Sequence, residues 1–329
     1  MSGAGLPVGV IGVGSLGFHH ARILREVAGA EMVGVYDADA ERATSVAEQL
    51  GVHAFSTLDA FLAAVDAAIV AVTTTSHAEV ALAAIDAGVD LLIEKPIAAT
   101  PEEADRILAR AQERGVRIAT GHVERFNGAL RAGEPYLEAP RFLESQRLSL
   151  FGPRGTDVAV VLDLMIHDID LVLGLAHERV EHVDAVGVPV LTPSIDIANA
   201  RLRFVGGAVA NITASRVSRE RMRKVRLFQP SGYISLDLAS GTGEFLRIRP
   251  GAAAAFTPGE PVPQIEDIVE RIELKSDGKE PLRAELEAFV AAMRGEREVV
   301  VSGEDGRRAL AVATEIIRRI ERDFLVPRT

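Results

Sequence analysis

The chain contains no cysteine. Disulfides, thiolate-held metals and a cysteine nucleophile are therefore excluded, and the composition is compatible with a reducing cytoplasm. Tryptophan is also absent and tyrosine occurs three times, so no aromatic stacking surface stands out. No apolar run reaches about 18 residues, the length a membrane-crossing helix needs. The opening MSGAGLPVGVIG has no basic segment ahead of its apolar run and does not read as a signal peptide. A net charge of −11 opposes non-specific nucleic-acid binding. An anionic ligand would depend on locally placed Arg, Lys or helix N-termini.

What is present points to two domains, because 329 residues exceed one ordinary core. Hydrophobic residues at 48% and charged residues at 25% are ordinary for a soluble globular chain. The chain opens on an apolar run, Val8–Ile11, that enters Gly12-x-Gly14-x-x-Gly17. A buried strand there should enter a tight turn at Gly12, let a pyrophosphate approach at Gly14, and pack closely against the following helix at Gly17. The backbone of Gly12, Gly14, Ser15, Leu16 and Gly17 then forms an anion site at a helix N-terminus. Asp37 ends the next apolar run, MVGVYD, 20 residues past Gly17. A dinucleotide fold wants a carboxylate there for the adenosine ribose. Ala38 and Asp39 follow rather than a cation, so NAD is expected over NADP, and Arg42 would weaken that choice if it folded back. The competing role for Asp37 is the N-cap of a helix over Ala40–Leu50.

The strand–helix alternation continues through Val52–Phe55, Leu58–Val65, Ala67–Val72, Ala78–Ala87, Val89–Pro96, Pro101–Arg114 and Val116–Thr120. Six strands with helices between them predict a doubly wound parallel (Rossmann) domain over 1–121. Thr73, Thr74 and His77 follow the fourth strand, where they would meet ribose or phosphate oxygens or cap the next helix. After His122 the pattern becomes one strand (Arg141–Leu150), a helix (Val160–Ala176) and several β-like runs: Val180–Val190, Ile197–Phe204, Ala208–Ser215, Val225–Phe228 and Tyr233–Leu238. Pro250–Pro263 reads as loop, and Pro281–Arg294 and Gly303–Arg322 as closing helices. The second domain, 122–329, is therefore expected to be α+β with a mainly antiparallel sheet, its last helices packing back on the first.

Two stretches carry chemistry. Glu94-Lys95-Pro96 leaves the fifth strand at the end where open α/β sheets bind ligands. A half-desolvated Lys95 amine can bond a substrate hydroxyl and share in proton transfer. Asp163 and His167, four apart on a helix, can face one ligand, with His167 taking an alcohol proton and Asp163 orienting the imidazole or binding a sugar hydroxyl. Asp163, His167 and Asp170 could also be read as metal ligands, but no downstream His or Cys partner supports a metal, and none is expected. Arg216–Arg226 holds six basic residues in eleven and reads either as a solvated turn or as a phosphate contact.

GVIGVGSLGFHHARI, EKPIA, GHVERFN and DLMIHDIDLV, in this order, resemble the Gfo/Idh/MocA oxidoreductase family along essentially the whole chain. The resemblance implies a tightly held NAD(P), oxidation or reduction of a sugar or cyclitol hydroxyl, and a large open sheet through which the chain forms a homodimer or homotetramer. It places Lys95, Asp163 and His167 at catalytic positions, gives Lys95-Pro96 unusual backbone geometry, and sets Glu94 and His122 beside the cofactor. Within the family, GHVERFN with LDLMIHDIDL is most similar to the nucleotide-sugar branch, which oxidises the 3-hydroxyl of UDP-N-acetylglucosamine ahead of an aminotransferase in lipid A or surface-glycan synthesis. Such a substrate directs attention to Arg125, Asn127, Arg147 and Arg154 as its ligands. Alternatives are an inositol, free-sugar or uronate dehydrogenase, or a cofactor-loaded sensor; retained proton-transfer groups argue against the sensor.

Overall fold

The computed structural model describes residues 5–152, 158–252 and 264–325. Arg154 and residues 253–263 of the expected loop lie outside the described residues. The chain forms two compact units, one of residues 1–126 and 280–311, the other of residues 127–279 and 312–329.

The first unit is built on β1 (Leu6–Ile11), α1 (Ser15–Leu24), β2 (Ala30–Tyr36), α2 (Ala40–Leu50), β3 (His53–Ala54), α3 (Leu58–Leu62), β4 (Ala67–Val70), α4 (His77–Asp86), β5 (Asp90–Glu94), α5 (Pro101–Arg114) and β6 (Ile118–Gly121). Its six strands pair in the order β3-β2-β1-β4-β5-β6, every pair parallel. Strand β4, AAIV, is buried at all four positions, as a strand covered on both faces must be. Helix α5 shows how local chemistry sets boundaries. Thr100 accepts the Glu103 N–H, Glu103 reaches back to the Ala99 N–H, Pro101 opens the helix, and Gly115 closes it at φ +69°. Losing such a cap costs about 1 kcal/mol.

The second unit begins with α6 (Gly128–Gly133) and β7 (Phe142–Leu148). A π-helical turn (Val161–Met165) runs directly into α7 (Ile166–Ala176). Then come β8 (Val180–Val188), β9 (Ile197–Phe204), β10 (Val209–Ser215), β11 (Met222–Gln229), β12 (Gly232–Asp237), β13 (Thr242–Ile248), α8 (Ile265–Ile268) and β14 (Val269–Lys275). The eight strands pair as β14-β13-β12-β11-β7-β10-β9-β8. All pairs are antiparallel except β7 with β10. Strict alternation along β9 buries Ala198, Ala200, Leu202 and Phe204 and turns Asn199, Arg201 and Arg203 outward, so one sheet face is core and the other polar. Helix α7 lies against β7 and β10 on the covered face.

Helix α9 (Pro281–Met293) returns to the first unit, where Leu286, Phe289, Val290, Ala292 and Met293 join Val8, Val10 and Ile69 in one core. Helix α10 (Gly303–Leu325) follows; its residues to Ala311 group with the first unit and those from Val312 with the second. Among the described residues no helix is long and apolar enough to cross a membrane.

Candidate active site

The glycine turn meets its expected geometry. Gly12 has φ +84°, a conformation that side chains oppose. A Cβ on Gly17 would lie 1.8 Å from the Gly12 carbonyl oxygen, so only glycine lets α1 pack this close. A Cβ on Gly14 would meet nothing within 4 Å, which leaves open space over the turn. Helices α2, α3 and α5 are each capped by a side chain, from Asp39, Thr57 and Thr100, whereas α1 has no side-chain cap. Helices α4 and α9 lack a side-chain cap as well; at α1 the leading N–H groups of Ser15, Leu16 and Gly17 lie beside the glycine turn, where the positive end of the helix dipole would favour an anion.

Asp37 is tied to this turn. Its Oδ2 accepts the Val13 N–H at 2.8 Å and its Oδ1 the Asp39 N–H at 2.9 Å. A carboxylate offers about four lone-pair sites, so acceptor capacity remains for ribose hydroxyls. The helix cap is Asp39, whose side chain accepts the Arg42 N–H; the cap role weighed for Asp37 therefore belongs to its neighbour. Arg42 does fold back, but onto carboxylates, 3.5 Å from Asp37 and 3.0 Å from Asp39. Its charge is occupied by the pair that would oppose a 2′-phosphate. Replacing Asp37 by Ala is expected to weaken NAD about 10- to 100-fold, the worth of charge-assisted hydrogen bonds, and to narrow the preference over NADP as Arg42 is released. Calorimetric titration with both dinucleotides checks this, and unchanged affinities would exclude Asp37 from the site.

At the end of β5 the Lys95–Pro96 peptide bond is cis. Glu94 is buried, with Oε1 2.6 Å from His20 Nε2 and Oε2 accepting the Lys95 N–H at 3.1 Å. Burial alone would push the Glu94 carboxyl up; the His20 hydrogen bond and charge, then the charge and N–H of Lys95, outweigh it and hold it below its ordinary value. Lys95 itself is half-buried. His77, expected beside the cofactor, is 1% exposed, with Nδ1 2.9 Å from the Pro96 carbonyl and Nε2 3.2 Å from the Val72 carbonyl. Burial depresses its basicity despite those carbonyls. Both ring nitrogens are thus engaged by the protein's own backbone.

In the second unit, Asp163 lies inside the π-helical turn and His167 is the second residue of α7, both half-buried. The helix expected over Val160–Ala176 is π-helical in its first turn, Val161–Met165, and α-helical from Ile166. Such turns recur at functional sites. Asp168, adjacent to His167, accepts Arg147 Nε at 2.6 Å and Ser145 Oγ at 2.7 Å, all three buried. Arg147 was read as a substrate ligand, but its side chain points to the covered face of β7 and its charge is committed to Asp168. It anchors α7 instead.

Other expected ligands take structural work. Asn127 caps α6 through Oδ1 and donates Nδ2 to the Leu238 carbonyl, so both ends of its amide are used. His122 is buried. Arg125 is half-buried and acts on Asp305. Thr73 stands at the N-cap position of a short 3-10 turn (Thr74–Ser76) but makes no side-chain capping bond, its hydroxyl lying 3.5 Å from that of Thr75, and the N-cap of α4 is Ser76. The basic stretch from Arg216 divides three ways. Arg216 is buried against Asp196 and the carbonyl of Ile195, and residues from Met222 are strand β11. Arg219 and Arg221 keep the expected solvated position. Among the described residues no cluster of three His, Asp or Glu side chains is arranged to hold a metal.

A glycine turn at positive φ entering a helix, with a carboxylate just past the neighbouring strand of a six-stranded parallel sheet, is the arrangement of a dinucleotide-binding Rossmann fold. Residues 6–122 match the oxidoreductase family with an NAD-binding Rossmann fold, and residues 119–235 match the GFO/IDH/MocA C-terminal domain. The chain belongs to the Gfo/Idh/MocA family and is an NAD-binding dehydrogenase. It is 40% identical over 314 residues to UDP-N-acetylglucosamine 3-dehydrogenase of Acidithiobacillus ferrooxidans, covering 95% of this chain and 96% of that one. A solved structure of that enzyme aligns with a TM-score of 0.88 at 38% identity, over 97% of this chain and 99% of that chain. Myo-inositol 2-dehydrogenase of Thermotoga maritima is 26% identical over 95% of this chain and 96% of its own.

Proposed function

We propose that this protein oxidises the 3-hydroxyl of UDP-N-acetylglucosamine to the 3-keto sugar. The observation that carries this is the 40% identity to a UDP-N-acetylglucosamine 3-dehydrogenase across nearly the whole of both chains. The reaction balances as CH–OH plus NAD⁺ to C=O plus NADH and H⁺. NAD, when bound, supplies the hydride acceptor; the glycine turn, the uncapped α1 and Asp37 are the groups fitted to hold it. The hydroxyl proton goes to His167 or Lys95. Asp163 orients the imidazole or a sugar hydroxyl.

The reading carries two partners with it: a second copy of the chain on the open sheet, as a dimer or tetramer, and a sugar aminotransferase that removes the ketone. An inositol dehydrogenase is the second reading, favoured by the Thermotoga relative. NADH absorbance with UDP-N-acetylglucosamine, myo-inositol and free glucose, each with and without an aminotransferase and glutamate, separates them. The expected result is turnover on the UDP-sugar, increased by the coupling enzyme. Faster turnover on inositol or glucose contradicts the proposal.

A further inference from the structure

His20 and Glu94 form a buried hydrogen-bonded pair in the first unit that the proposed chemistry leaves unused. His20, on the second turn of α1, is 0% exposed and Glu94 is 6% exposed. A carboxylate only accepts, so the 2.6 Å contact requires the proton on His20 Nε2. His20 Nδ1 is buried without a hydrogen-bond partner among the described residues. Burying such a pair is costly unless its geometry matters. The surroundings are shaped for it: Gly121, paired with Glu94 across β5 and β6, carries no Cβ, and one built there would lie 2.9 Å from the Glu94 carboxyl carbon. The second carboxylate oxygen holds the Lys95 N–H, and His77 holds the following Pro96 carbonyl.

We propose that His20 and Glu94 are positioning residues that tie α1 to the backbone of Lys95 and so fix where Lys95 lies. This rests on the reading of Lys95 as a proton-handling residue. Neither residue touches ligand in this account. His20 acts on Glu94, Glu94 fixes the Lys95 N–H, and His77 clamps the next carbonyl from α4. The carboxylate is faced by His20 from α1, His77 from α4 and Lys95 from its own strand.

The chain has four lysines, Lys95, Lys224, Lys275 and Lys279, so ¹³C-dimethylated lysine signals in the NAD-bound full chain are few enough to resolve. The Lys95 signal is assigned by its loss in Lys95→Arg. In Glu94→Gln and His20→Phe this signal is expected to move, while His20→Gln, which keeps an N–H for the carboxylate, retains the wild-type position. With UDP-N-acetylglucosamine, kcat is expected to fall about tenfold or more in the first two variants, since small misplacements of a reacting group cost that much, with the NAD Kd within about twofold. Glu94→Gln is isosteric and carries the test should His20→Phe fail to fold. An unmoved Lys95 signal in Glu94→Gln overturns the proposal. So does NAD affinity falling by the same factor as kcat, or His20→Gln behaving like His20→Phe. Full turnover in Lys95→Met would instead sink the catalytic reading of Lys95, and the methyl signals would still decide whether the pair positions it.

Discussion

Replacing His167 by Asn is expected to lower kcat about 10²- to 10⁴-fold, the usual worth of a positioned general acid–base group, while NAD binding stays within about twofold of wild type. Asn keeps a polar side chain of similar reach but cannot accept a proton near neutral pH. His167 belongs to the second unit, whereas the glycine turn and Asp37 belong to the first, so the substitution leaves the groups that hold the dinucleotide intact. Steady-state turnover beside calorimetric NAD titration reads both quantities. Turnover within about threefold of wild type would remove His167 from the catalytic set.

Arg147→Ala should cost about 3–5 kcal/mol of stability, the penalty for leaving one member of a buried ion pair without the other. Arg147 and Asp168 have side chains 4% and 2% exposed and meet at 2.6 Å, with Ser145 adding a third bond. The abandoned Asp168 carboxylate would lie under α7 with Ser145 as its remaining hydrogen-bond donor of that group. Urea unfolding measures the loss, and turnover should fall as well because Asp168 adjoins His167. A double replacement, Arg147→Met with Asp168→Leu, should recover much of the stability without the turnover, since apolar substitutes of similar size often match a buried pair. A loss below about 1 kcal/mol in Arg147→Ala would show that the pair is not a structural anchor.

The first unit was largely legible because its signals are local. Unbroken apolar runs such as AAIV mark strands buried on both faces, and Thr100, Pro101 and Gly115 bracket α5 by their own side-chain and backbone chemistry. Asp37 and Asp39 were not separable in the same way. Both precede α2, and spacing alone does not decide which carboxylate turns to Val13 and which caps the helix. In the second unit the misses are non-local. Strands β13 and β14, TGEFLRI and VERIELK, carry too few apolar residues to announce themselves; pairing stabilises them, with Arg247 on Glu270 and Arg271 on Glu244 across the exposed face. The π-helical turn has no period in the sequence that distinguishes it from α-helix. Arg147 and Arg216 look like ligand-facing cations until the fold supplies Asp168 and Asp196 as buried partners. Those carboxylates lie about 20 residues away along the chain, at separations of 21 and 20. The Asp196 carboxyl, despite burial, is held at about 2 by hydrogen bonds from Thr192, Leu191 and Val190.

The central claim is that hydride leaves C3 of a UDP-N-acetylhexosamine. Turnover of UDP-N-acetylglucosamine deuterated at C3, with NAD and a coupled aminotransferase, tests it most directly by mass spectrometry of the reduced cofactor. The reduced cofactor is expected to be one mass unit heavier from the C3-labelled sugar and unlabelled from sugar deuterated at C2 or C4. Label arriving from C4, or no reduction of NAD while myo-inositol reduces it, would contradict the account.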